Sequence, residues 1–160
     1  MNLYLLRHGE AEASASTSAG RQLTEAGHLE IASVAMQFAS KRLEIDACFV
    51  SPALRAKQTA ETFLSHIFNS PEPSIIDELS ANQRAASLMH FLEQISANNV
   101  LLVSHNPILP ELLAQLTRGN VDDLVILATG DLACVSLEVI GLGMGTCPFI
   151  LQASASIPAS

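Results

Sequence analysis

Positive charge is scarce in this chain. Eight lysines and arginines stand against sixteen aspartates and glutamates, a formal net charge of −8 over 160 residues. That balance excludes general binding to nucleic acid or to an anionic membrane surface, both of which need a basic face. Any anion the protein binds must be held by a local cluster of arginines. Charged residues of both signs reach only 15%, against 49% hydrophobic. This excludes a disordered chain and suits one globular domain with a sizeable core. Cysteine is sparse too. Cys48, Cys134 and Cys147 make no CxxC or metal-ligand spacing, so they are expected to be reduced core thiols. No apolar run is long enough to span a bilayer. No basic segment precedes the short apolar run at the N-terminus, so no signal peptide is expected and the expected location is the cytoplasm.

What is present alternates between strand and helix patterns. Leu3–Leu6, Ala47–Val50 and Val100–Val103 are short apolar runs of the kind buried on both faces of a sheet. Ala11–Gly20 is small and polar and predicts a mobile loop. Thr24 is an expected N-cap, with Glu25 in the first turn, a helical stripe of Leu29, Ala32, Met36 and Ala39, and Lys41 and Arg42 in the last turn. Ser51-Pro52 and Asn106-Pro107 each predict a helix start, a cap residue followed by proline at the first helical position. The first of these helices is expected to run to about Phe68. Ser74–Ile76 predicts a short strand, and Leu88, Leu92 and Ile95 a further helix. Leu109, Leu112, Leu113 and Leu116 give an apolar face that ends at Arg118-Gly119. Leu132–Ile140 and Phe149–Leu151 predict late strands joined by a glycine-rich turn. The expected fold class is α/β, a three-layer α/β/α sandwich with a mostly parallel sheet and an antiparallel edge. Residues 1–152 are expected to form a single domain and 153–160 a flexible tail.

Three of these strands end in chemically capable residues: Arg7-His8-Gly9, then Ser51-Pro52 with Arg55 one turn later, then Ser104-His105-Asn106-Pro107. In a parallel sheet the three carboxyl ends share one edge, where open α/β sheets hold ligands. Two histidines and two arginines thus converge on one cleft. Guanidinium forks suit phosphate oxygens. A neutral imidazole can attack phosphorus, and a protonated one can donate to a phosphoryl oxygen. The constellation fits phosphoryl transfer, which is mostly positioning and charge stabilisation. The arginines and the second histidine already supply positive charge, so no metal and no cofactor is expected.

On these residues the chain resembles the histidine phosphatase superfamily, with its phosphoglycerate mutase-like fold. Leu-Arg-His-Gly-Glu at 6–10, Ser-Pro-Ala-Leu-Arg-Ala-Lys-Gln-Thr-Ala at 51–60 and Val-Ser-His-Asn-Pro at 103–107 match its ordered blocks. Arg21 to Gly27 resembles the segment before its first helix. The short length is similar to SixA-type protein phosphohistidine phosphatases. The resemblance implies that His8 is the nucleophile and is transiently phosphorylated, and that Arg7, Arg55 and His105 complete a phosphate pocket. Gly9 and Arg21 are further candidates for substrate binding. Larger members carry a glutamate general acid in an insertion, and here Phe68 to Arg84 leaves little room for a lid. Glu78 is the candidate proton donor in that stretch, ahead of Asp77. The implied partner is a phosphohistidine-bearing protein, a phosphotransfer domain or phosphocarrier. The alternatives are a small-molecule phosphomonoesterase of the same superfamily and a phosphate-binding module without turnover.

Other motifs have plainer explanations. His28, His66 and His90 lie in expected helices as structural or surface residues. Gly141-x-Gly143-x-Gly145 lacks nucleotide-loop spacing and predicts a hairpin turn. Asp122-Asp123 is an expected solvated pair.

Overall fold

The computed structural model describes residues 1–153, so the expected tail lies, from residue 154 onward, outside the described residues. Six strands form one sheet in the order β3-β2-β4-β1-β5-β6. They are β1 (Asn2–Arg7), β2 (Ala47–Val50), β3 (Pro73–Ile75), β4 (Asn99–Ser104), β5 (Leu132–Leu137) and β6 (Gly145–Leu151). The first four are mutually parallel, while β5 runs antiparallel to β1 and β6 antiparallel to β5. Four α-helices accompany them: α1 (Glu25–Ser40), α2 (Leu54–Leu64), α3 (Ala85–Glu93) and α4 (Ile108–Arg118).

Strand alternation explains the layers. On β1, Tyr4 and Leu6 enter one core with Ile31, Val34 and Phe38 of α1 and Ala60 and Phe63 of α2. Leu3 and Leu5 enter the opposite core with Leu88 and Leu92 of α3 and Leu109, Leu112 and Leu116 of α4. Successive side chains of a strand point to opposite faces, so a strand apolar at every position needs cover on both. The result is the expected three-layer sandwich.

Several local expectations are corrected. The buried stripe of α1 is Gly27, Ile31, Val34, Ala35 and Phe38, whereas Leu29 and Met36 are 55% and 48% exposed. Two apolar stripes compete on that helix, and the one carrying Phe38 wins because its ring packs edge-on against Tyr4 and Phe63. Lys41 is the C-cap and Arg42 lies beyond it with φ 55, so neither is in the last turn. Ser51 does not cap α2. Its N–H donates to the Val103 carbonyl, which keeps it in the sheet, and the helix begins only at Leu54. That helix ends at Leu64, leaving Phe68 exposed. Asn106 does not cap α4, because its side-chain amide is used elsewhere and Pro107 takes the cap position. Strand β3 is one residue earlier than expected, β5 stops at Leu137, and β6 starts at Gly145. Cys147 is exposed on β6, while Cys48 and Cys134 are buried as expected; all three thiols are free. The 11–20 loop carries order of its own, with an Ala11–Leu23 bridge and a 3-10 turn at Ser18–Gly20.

Candidate active site

The carboxyl ends of β1, β2 and β4 and the start of β5 share one edge of the sheet. His8 leaves β1 there and is only 7% exposed. Its backbone N–H still donates to the Ser104 carbonyl at the end of β4. The ring Nδ1 lies 2.7 Å from the Gly9 carbonyl oxygen. A carbonyl can only accept, so Nδ1 carries the proton and Nε2 keeps its lone pair. Arg55 Nε donates to that lone pair at 3.3 Å. Burial pushes the His8 pKa down to about 4; the Gly9 hydrogen bond opposes this, and the charges of Arg55 and Arg7 and His105 add to it. The imidazole is therefore neutral at neutral pH.

His105, 6% exposed, has the same tautomer for a similar reason. Ser104 Oγ donates to the Leu79 carbonyl at 2.8 Å and so accepts from His105 Nδ1–H at 3.0 Å. Its Nε2 is buried and has no hydrogen-bond partner among the described residues. Burial, then Arg55 and Arg7, lower the His105 pKa from its ordinary value. Arg55, 6% exposed, also donates from Nη1 to the Ser18 carbonyl at 2.9 Å. Arg7 donates from Nη1 to the Leu127 carbonyl at 2.7 Å, and its Nε is buried with no hydrogen-bond partner among the described residues. Neither arginine makes an ion pair with a carboxylate among the described residues. Burial lowers both guanidinium pKa values; nearby Arg21 adds to the effect on Arg55, whereas Asp131 and Glu30 oppose it on Arg7. Arg55 and His105 line a cavity of about 210 Å³ with Ser18, Ser51, Ala53 and Ser80.

The other expected site residues fare differently. Gly9 serves its own packing more than a ligand. A Cβ there would lie 2.7 Å from the Gly27 carbonyl oxygen, so the glycine is what lets the end of β1 seat against α1. Arg21 sits beside Arg55 and donates to the Glu12 carbonyl at 3.2 Å. Glu78 does not line the Arg55–His105 cavity. It lines a separate hollow with Asp77, Gln83 and His90, because the 3-10 turn Asp77–Leu79 presents Leu79, not Glu78, to Ser104. Among the described residues, no group of three or more His, Cys, Asp or Glu is arranged to hold a metal ion.

The sequence reading missed several contributors. Thr59 Oγ accepts from the Gly9 N–H at 3.1 Å, one turn beyond Arg55 in the same helix. Leu127 accepts from both Arg7 and Asn106 through its carbonyl, and Gly130 N–H donates to the carbonyls of Arg7 and His8. Backbone acceptors carry no side-chain signature, so nothing in the residue types of 124–131 points to the site. Thr59 was legible, since it recurs at i+4 from Arg55 and so shares its helix face.

Comparison with known proteins shows the family and the fold. A sequence model of the histidine phosphatase superfamily (branch 1) matches residues 3–80. The chain is 29% identical over 147 residues to the phosphohistidine phosphatase SixA of Escherichia coli K12, covering 89% of each. It is 31% identical over 129 residues to the SixA homolog of Haemophilus influenzae, covering 72% of this chain and 77% of that one. The solved structure of the protein histidine phosphatase SixA complexed with tungstate superposes with a TM-score of 0.88 at 27% identity, covering 96% of this chain and 97% of the other.

Proposed function

The chain belongs to the histidine phosphatase superfamily and is similar to its SixA-type phosphatases, and from that membership we propose that it hydrolyses phosphohistidine on a protein through a covalent intermediate on His8. The observation that best supports this reading is the pair of guanidiniums, Arg55 buried and Arg7 half-buried, neither ion-paired with a carboxylate among the described residues, beside a neutral imidazole whose Nε2 lone pair accepts from Arg55. A buried cation such as Arg55 without an ion-pair partner is costly, and a phosphoryl dianion bound between Arg55 and Arg7 offsets that cost. The solved SixA relative binds tungstate, a tetrahedral oxyanion of similar shape.

In the proposed reaction, Arg7 and Arg55 hold the equatorial oxygens of the phosphoryl group. His8 Nε2 attacks phosphorus in line as the substrate P–N bond breaks, and the bond electrons leave with the substrate imidazole. Once its second ring nitrogen is protonated, that group departs as neutral imidazole, so it needs no carboxylic acid and Glu78 has no part. His105 Nε2, when protonated, donates to a phosphoryl oxygen and offsets the charge that develops there. Water then attacks phosphorus, the P–Nε2 bond breaks, and inorganic phosphate leaves with His8 neutral again. Arg7, Arg55 and His105 supply the positive charge, so the reaction as proposed uses no metal or cofactor. The low, small-residue rim of Ser18, Ala19, Ser80 and Ala81 suits a side chain presented by another protein, a phosphotransfer domain or phosphocarrier in the cytoplasm.

The test is phosphate release from a phosphohistidine-bearing protein in the presence of EDTA. The wild type is expected to release phosphate and His8→Ala to release none. Activity retained in His8→Ala overturns the mechanism. A phosphomonoester turned over far faster than phosphohistidine in a substrate panel overturns the substrate.

A further inference from the structure

We infer that Glu30 is a positioning residue for His8, acting through the peptide unit that joins Gly9 to Glu10. The inference rests on the reading of His8 as the nucleophile. Two hydrogen bonds end on that one peptide unit. Its carbonyl, from Gly9, accepts from His8 Nδ1 at 2.7 Å. Its N–H, from Glu10, donates to Glu30 Oε2 at 2.8 Å. The chain of contacts runs from a carboxylate to a peptide N–H, through the conjugated amide to the carbonyl, and on to the imidazole. A peptide polarised at its N–H end by an anion presents a stronger acceptor at its carbonyl end. Both distances fall in the range of charge-assisted bonds. The arrangement has the logic of a base oriented by a third group, with an amide inserted between the two.

The seating of this peptide is unusually well determined. Gly27 and Glu30 are three residues apart and so share one face of α1. A Cβ on Gly27 would lie 2.9 Å from the Glu10 nitrogen of this peptide and closer still to the carbonyl oxygen of the next, so the glycine opens the space this stretch of backbone occupies. Thr24 N–H donates to the Glu10 carbonyl at 2.9 Å, which holds the adjoining Glu10–Ala11 peptide. Glu30 itself is held at both oxygens, since its Oε1 accepts from Thr129 Oγ at 3.2 Å. The neighbouring Gly130 N–H donates to the carbonyls of Arg7 and His8 at 3.2 and 3.0 Å. One carboxylate thus grips both loops that flank the Arg7-His8 pair.

Two consequences follow for His8. The strengthened carbonyl fixes the Nδ1–H tautomer, which leaves the lone pair on Nε2. It also stabilises the positive charge that spreads over the ring when Nε2 bonds to phosphorus. Glu30→Gln separates charge from shape. Its amide oxygen still accepts from the Glu10 N–H, and its amide nitrogen donates to the Thr129 hydroxyl.

The experiment combines ¹⁵N NMR of the His8 ring in the ligand-free enzyme with turnover of a phosphohistidine-bearing protein. Glu30→Gln is expected to melt close to the wild type and keep the Nδ1–H tautomer, while kcat falls about tenfold with KM within about twofold. Glu30→Ala is expected to lose up to about 100-fold in kcat, the upper range for removing a group that orients a ligand or catalytic side chain, and to populate the Nε2–H tautomer. Wild-type kcat in Glu30→Gln overturns the inference. So does a pure Nδ1–H tautomer in Glu30→Ala. The NMR readout needs no substrate, so a wild type that fails to turn over phosphohistidine counts against the proposed function and leaves the tautomer result standing on its own.

Discussion

A buried imidazole that stays neutral must be forced to ionise when the pH falls, and His8 ties stability to pH in this way. Its folded pKa is about 4 against an ordinary 6.5. Between these values the unfolded chain binds the proton and the folded protein does not. Stability is therefore full above about pH 6.5 and declines as the pH drops toward 4, by about 3 kcal/mol for this group alone. Thermal melts across that window are expected to show the decline, and His8→Ala a shallower one. The same shift places the acid limb of kcat/KM near pH 4, read from a pH–rate profile of the wild type, because only neutral His8 can attack. His105 behaves differently on binding an anion. Burial and the arginines lower its pKa, and a bound dianion opposes those charges and raises it again. Sulfate binding is thus expected to take up a proton, seen by calorimetry in buffers of different ionisation enthalpy, and His105→Ala to abolish the uptake. Arg7, His8, Arg55 and His105 were legible as residues because their chemistry is in their side chains. Glu30 and Leu127 were not, because one acts through a peptide bond and the other through its carbonyl.

Among the elements, α1 does the most to shape the pocket without lining it. Its first two turns carry Thr24, Gly27 and Glu30, which seat the backbone after β1. Gly27→Ala sets two effects against each other. Alanine gains about 1 kcal/mol of helix propensity. The added methyl meets a backbone carbonyl that cannot rotate away, and overpacking of that kind costs about 1 to 3 kcal/mol. The clash is expected to win, lowering Tm and, by displacing the Gly9–Glu10 peptide, kcat as well. β1, β2 and β4 were legible nearly to the residue, because an uninterrupted apolar run in the middle of a sheet has few alternative placements, whereas the ends of β5 and β6 that meet were not. The start of α1 at Thr24 was legible too, but the starts of α2 and α4 were not. Ser51-Pro52 and Asn106-Pro107 have the composition of caps, yet Ser51 is retained by the sheet and Asn106 by the Leu127 carbonyl. Tertiary contacts outbid local capping at both ends, and both lie on the edge that forms the pocket.

At the scale of the whole molecule, the alternation of strands and helices was enough to anticipate a layered sheet, but not its order. Periodicity says which residues are buried and not which strand lies beside which. Here β1 sits inside the sheet between β4 and β5, and its neighbours come from far along the chain. A chain ending after Asn120 lacks β5, β6 and the carbonyl that holds Arg7, and is expected to show no cooperative melt by circular dichroism and no phosphatase activity. The central place of β1 also bears on how the protein is made. His8, the proposed nucleophile, and Arg7 are synthesised before the rest of the candidate site, at the end of a strand with a buried apolar middle. Arg7 then waits 120 residues for Leu127, roughly 6 to 24 s at ordinary rates of translation. Until β4 has been made, the nascent chain exposes an unpaired apolar strand, a surface that chaperones bind. The first residues of the candidate site to be synthesised have all their partners only once the chain has passed Leu127.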